Sequence, residues 1–93
     1  MKRFSTAEIT KNLAHMPGWK WDTGFLRKTF FFENPIQAAL FLNAVGYLAE
    51  MEDHQPSMTV NASQVTLSLQ TRAVKGLTQK DFELARKIEG LVP

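Results

Sequence analysis

The chain has 93 residues, enough for one domain but not two. Its 11 basic and 9 acidic residues leave a net charge of +2, and they are scattered rather than gathered into the basic face of a nucleic-acid binder. There is no cysteine, which excludes a disulfide framework and a thiolate zinc site.

No apolar run approaches the ~20 residues needed to span a bilayer, so no membrane segment is expected. Met1 to Ser5 carries two basic residues with no apolar segment behind them, so no signal peptide is expected and a cytoplasmic location fits. Asn61-Ala62-Ser63 matches a glycosylation sequon but reads as a turn.

In chain order, Ser5-Thr6-Ala7-Glu8 is a capping box. The helix it opens carries Ile9, Leu13 and Met16 on one side and is ended by Pro17-Gly18. Trp19-Lys20-Trp21 alternates as a strand. Asp22-Thr23-Gly24 supplies a hairpin turn. Phe25 to Phe32 is an aromatic-rich strand.

Asn34 as N-cap and Pro35 at the first helical position start a long helix running to about Asp53. Its apolar residues, among them Ile36, Leu40, Phe41, Val45, Tyr47, Leu48 and Met51, cover an arc of roughly 240° at ~100° per residue. One core requires a stripe of little more than ~100°. The surplus must meet a second element of the domain or a helix of another subunit. The small size of the chain favours the subunit.

Ser57 to Asn61 is a short strand, and Ala62-Ser63 a turn. Val65, Leu67, Leu69 and Thr71 then alternate with polar residues from Gln64 to Arg72, a strand with one buried and one open face. Thr78 to Asp81 caps a last helix with the stripe Leu84, Ala85, Ile88, Leu91 and Val92. The predicted fold is therefore α+β, in the order α-β-β-α-β-β-α. It is a two-layer sandwich with a four-stranded antiparallel sheet and the helices packed on one face. Residues 1–93 are expected to form this single domain.

No set of His, Asp and Glu has a recognised metal-ligand spacing; Glu50 and His54 at i, i+4 are only two groups. No phosphate-binding glycine loop or nucleophile elbow is present. The open sheet face, with Thr66, Ser68 and Gln70, lacks the aromatic platform of a base-stacking surface. What remains is the corner Ala49 to Pro56, where a helix ends at His54 among carboxylates. Histidine is suited to proton exchange near neutrality. Composition alone favours a solvated or capping role for it.

The stretches Gly18-Trp19, Thr29-Phe30-Phe31-Phe32, Ala38-Ala39-Leu40-Phe41, Ala49-Glu50, His54, Pro56 and Gly76 to Asp81, in this order and spacing, resemble the pterin-4a-carbinolamine dehydratase family. Its members are also known as dimerization cofactors of a homeodomain transcription factor. The resemblance spans roughly Leu13 to Ile88 and implies the same α-β-β-α-β-β-α fold. The family pattern matches at Glu50, His54, Pro56 and Asp81. Gln55 stands in place of a second histidine, Ala62 of an aromatic residue and Arg72 of a third histidine.

The implied reaction removes water from a 4a-hydroxytetrahydropterin, of the kind met in tetrahydrobiopterin metabolism, without metal or cofactor. It needs a general acid for the leaving oxygen and a base for the ring N–H. The resemblance implies His54 as the catalytic group, with Gln55, Pro56, Arg72, Glu50 and Asp81 around the substrate. Arg72 would reach in from the neighbouring strand, Trp19 belongs to the core or forms a wall, and Asp81 reads first as a helix cap.

Gln55 cannot exchange protons and Arg72 stays charged, so neither replaces an acid–base histidine. Three readings follow: a weakened dehydratase; a non-catalytic protein-interaction factor, as in relatives that serve Rubisco assembly; and a protein for an anionic pterin bound through Arg72. A homodimer or homotetramer is also implied.

Overall fold

A computed structural model describes residues 2–92; Met1 and Pro93, the ends of the expected domain, lie outside the described residues. Its elements are α1 (Thr6–Leu13), β1 (Lys20–Asp22), β2 (Phe25–Phe31), α2 (Pro35–Glu52), β3 (Ser57–Asn61), β4 (Gln64–Leu69), a 3-10 turn (Arg72–Val74) and α3 (Gln79–Glu89). The strands form one antiparallel sheet in the order β1-β2-β4-β3. The predicted α+β class, element order and four-stranded antiparallel sheet are all found.

Both hairpins turn through positive φ. Thr23 and Gly24, at 49° and 85°, give a turn whose twist suits the flanking strands. Ala62 turns the second hairpin at 57°, a conformation that strains any residue with a Cβ. The sequon is thus a tight turn.

Alternation sorts the sheet into two faces. Leu26 and Phe30 of β2 and Val65, Leu67 and Leu69 of β4 point toward the helices and are buried. Arg27, Thr29, Thr66 and Ser68 lie on the open face, where Arg27 Nε donates to Ser68 Oγ and Thr29 bonds Thr66. The helical layer adds Ile9, Ala38, Phe41, Val45, Phe82, Leu84, Ala85 and Ile88 to one continuous core. Phe82 is fully buried and one of the largest side chains there, although the expected apolar stripe of the last helix omits it.

Four boundaries differ from expectation, each for a local reason. α1 ends at Leu13, because His15 and Met16 bond back only three residues and tighten the chain; Met16 still reaches the core. β1 begins at Lys20, since the Trp19 N–H is engaged by the Met16 carbonyl and belongs to the turn before it. β4 ends at Leu69. Thr71 pairs with Gly76 and sends Arg72–Val74 into a 3-10 turn, so Arg72 stands on no strand. α3 stops at Glu89 with Gly90 as cap. Leu91 is exposed and Val92 only packs against the core edge.

α2 confirms the surplus of apolar surface. Ala38, Phe41, Val45 and Ala49, spaced as one helical face, are its buried stripe. On the other side Ile36 is 73% exposed, Leu40 64%, Tyr47 72% and Met51 64%. No helix among the described residues is long and apolar enough to cross a membrane.

Candidate active site

The end of α2 sets the position of the histidine. Asp53 adopts the left-handed conformation, with φ 50° and ψ 46°, and the His54 N–H bonds back to the Ala49 carbonyl at 3.0 Å. This is the hydrogen-bond pattern of a helix stop built on a left-handed residue. It turns the chain sharply, and Pro56, buried and without an N–H, leads into β3. His54 is thereby swung back across the N-terminus of α3.

There it meets Asp81. His54 Nε2 lies 2.6 Å from Asp81 Oδ1. Asp81 is 0% exposed. Its other oxygen, Oδ2, accepts from the Thr71 hydroxyl at 2.8 Å and from the Thr78 backbone N–H at 2.9 Å. Thr71 Oγ1 and Thr78 Oγ1 are themselves 2.8 Å apart, and the Lys80 N–H donates to Thr78 Oγ1 at 3.2 Å. Thr78 and Asp81 form the capping box of α3, so the cap expected at Asp81 is real. The same carboxylate also holds the histidine.

His54 also lines a cavity of about 280 Å³, together with Asp53, Gln55, Gln70, Thr71, Arg72, Ala73 and Lys80. That is just below the ~300–1,000 Å³ usual for small-molecule sites. A groove of about 770 Å³ beside Phe31, Leu40 and Phe41 is larger. It is walled mainly by apolar and aromatic side chains, with no imidazole and no buried carboxylate. The imidazole lines the smaller cavity, and the buried carboxylate it touches stands beside it.

The expected site residues therefore divide. His54, Gln55 and Arg72 line the cavity, although Arg72 comes from the 3-10 turn rather than from a strand. Asp81 stands behind the ring, and Pro56 is buried. Glu50 is exposed on the rim, where it accepts a 3.3 Å hydrogen bond from Gln55 Nε2. Trp19 is no wall of this cavity: it is 5% exposed, packs edge-on against Phe30 and donates Nε1–H to Glu89. Ala62 lies in the β3–β4 turn, outside the lining, and the exposed His15 is likewise no part of it. Among the described residues no group of three or more His, Asp or Glu could hold a metal ion.

Asp53 belongs to the expected corner, whereas Gln70, Thr71, Ala73 and Lys80 were not expected at the site. For Thr71 a signal existed. It ends the buried run Val65, Leu67, Leu69 as the one polar member, and a hydroxyl kept in a buried register has a partner to serve.

A two-layer α+β protein with one imidazole held between a buried carboxylate and an open cavity has the construction of an acid–base site. The sequence pattern of the family described as pterin 4 alpha carbinolamine dehydratase matches residues 2–91. This chain belongs to that family.

Among relatives whose names carry pterin-4-alpha-carbinolamine dehydratase, one from Roseiflexus is 40% identical over 90 residues, covering 97% of both chains. One from Thermosynechococcus vestitus is 38% identical over 90 residues, covering 97% of this chain and 95% of the relative. One from Sulfolobus acidocaldarius is 38% identical over 81 residues, 87% and 89% of the two chains.

Two solved structures share the fold. A transcriptional coactivator/pterin dehydratase from Brucella melitensis has a TM-score of 0.94 at 24% identity, covering 99% of this chain and 100% of that one. A pterin dehydratase-like protein identified as a RuBisCO assembly factor in the alpha-carboxysome has a TM-score of 0.70 at 22% identity, covering 83% and 92%.

Proposed function

We propose that this chain dehydrates a pterin 4a-carbinolamine to the quinonoid dihydropterin, with His54 as its acid–base group. Family membership supports the reaction class. The observation that carries the reading is the 2.6 Å contact between His54 and the buried Asp81 at the wall of a ligand-sized cavity.

In the reaction the ring N–H nitrogen forms a C=N bond as the C4a–O bond breaks. The N–H proton passes to the imidazole and the leaving oxygen takes a proton, so that one water is lost. A single histidine serves both transfers by accepting the proton and then returning it to the oxygen. Asp81 stabilises the imidazolium in between, as a buried aspartate does behind a catalytic histidine. Gln55 and Arg72 offer hydrogen bonds and charge but no proton exchange. Since one proton-transfer partner is typically worth ~10²–10⁴ in rate, a slow enzyme is expected.

Arg72 and Lys80 both line the cavity, and this favours a substrate with an anionic substituent. The exposed stripe Ile36, Leu40, Tyr47 and Met51 suits a homodimer or homotetramer, or a protein partner as in an assembly factor. We read the chain as one such domain, acting in the cytoplasm on a pterin of the tetrahydrobiopterin type.

The test is carbinolamine dehydration by purified protein against the uncatalysed rate, with His54→Ala alongside. The wild type should exceed background and the variant should not. Equal rates for both at background would leave a non-catalytic interaction factor as the reading.

A further inference from the structure

We infer that Thr71 and Thr78 are positioning residues: through Asp81 they fix the neutral His54 ring with its proton on Nε2, so that Nδ1 is the atom that exchanges protons in the cavity.

Each threonine hydroxyl has a single hydrogen to give. Thr71 Oγ1 has one, and it goes to Asp81 Oδ2. The 2.8 Å contact between the two threonine hydroxyls must then be a donation from Thr78 to Thr71. Thr78 Oγ1 is free to do so because it accepts, and does not donate, at the Lys80 N–H. The hydroxyls therefore run in one direction, from Thr78 to Thr71 to Asp81.

Oδ2 faces two donors, the Thr71 hydroxyl and the Thr78 N–H, and carries no hydrogen of its own. The remaining oxygen, Oδ1, is a carboxylate acceptor turned to His54, and Nε2 must donate to it. Thr71, Thr78 and Asp81 are 8%, 1% and 0% exposed, so water cannot substitute for a missing partner.

Nδ1 is left over. Among the described residues it has no protein partner, yet none of their buried side-chain nitrogens or oxygens lacks one. Nδ1 therefore belongs to the 11% of the side chain that remains accessible, on a residue that lines the cavity. This matters more here than in a site with several imidazoles. Gln55 and Arg72 cannot take over the exchange, so the orientation of one ring decides which atom does the work.

Nitrogen-15 NMR of the imidazole in the full-length protein tests the assignment directly. The neutral wild-type ring should carry its proton on Nε2. Asp81→Asn should invert it. The donors on Thr71 and Thr78 compel the amide oxygen to take the Oδ2 place, which turns the amide NH₂ toward Nε2 and forces the ring proton to Nδ1.

Thr71→Val should lower kcat roughly ten- to hundred-fold, the worth of one hydrogen bond to a charged group, with KM little changed; Thr71→Ser should restore it. A wild-type ring protonated on Nδ1, or an Asp81→Asn ring still protonated on Nε2, overturns the inference. Only the rate measurements rest on the dehydratase reading. Background rates in every variant, with the ring protons placed as expected, would overturn that reading and uphold the positioning.

Discussion

Replacing Asp81 with alanine should destabilise the fold far more than loss of an ordinary helix cap. The chain contains its own control, because α1 and α3 open with the same motif. Ser5 and Glu8 exchange bonds of 3.2 and 2.9 Å at the exposed start of α1. Thr78 and Asp81 do so at the buried start of α3. Removing the serine cap, Ser5→Ala, should cost about 1 kcal/mol, as N-caps usually do.

Asp81→Ala leaves the Thr78 N–H without its capping partner in a site closed to water, about 1–3 kcal/mol. It also strips the Thr71 hydroxyl, equally closed to water, of its acceptor at a similar cost of about 1–3 kcal/mol, and leaves the His54 ring without its partner. The sum is about 3–5 kcal/mol, a large share of the ~5–15 kcal/mol that holds a domain of this kind. At ~4–8 °C per kcal/mol for a chain of 60–100 residues, the midpoint should fall by at least ~12 °C. Paired urea and thermal melts of the two variants give the comparison. If Asp81→Ala costs no more than Ser5→Ala, the buried network is not worth what its geometry implies, and the positioning of His54 loses its basis.

Ala62→Gly should raise stability by roughly 0.5–1 kcal/mol in the same melts, since glycine removes the positive-φ strain at 57° but adds freedom to the unfolded chain. Arg72→His, which restores an imidazole to the cavity, should raise the dehydration rate and weaken binding of an anionic pterin in titrations followed by tryptophan fluorescence; neither change would remove Arg72 from the site. The Glu8 carboxyl is held below its ordinary 4.5, first by the Ser5 N–H and then by the Ser5 hydroxyl. Its capping contribution is therefore complete above about pH 4.5 and lost as pH falls through the lowered value. Amide exchange at the start of α1 should speed up on acidification, and Glu8→Gln should flatten that dependence.

Much of this molecule was legible in one dimension because the physics is local. Asn34-Pro35 begins α2 and Asp53 ends it within a residue of expectation, since caps depend on side chains a few positions away. Val65, Leu67, Leu69 and Thr71 fall on the buried side because alternation along a strand admits no other choice once one face is covered. Boundaries failed where a hydrogen bond outside the regular helix or strand pattern intervened. The bridge from Thr71 to Gly76 took Arg72 out of a strand that its own neighbours would have continued. Trp19 went to the core because Glu89, 70 residues away, receives its N–H.

The sequence by itself determined the elements, the family and the position of one histidine at the corner, for these rest on spacing and residue type. Only the tertiary structure decided that the two capping boxes differ. One lies in water and does no more than start a helix. The other is enclosed by Thr71 and the returning chain after α2, and the low polarity of that enclosure turns a helix cap into the group that aims a histidine.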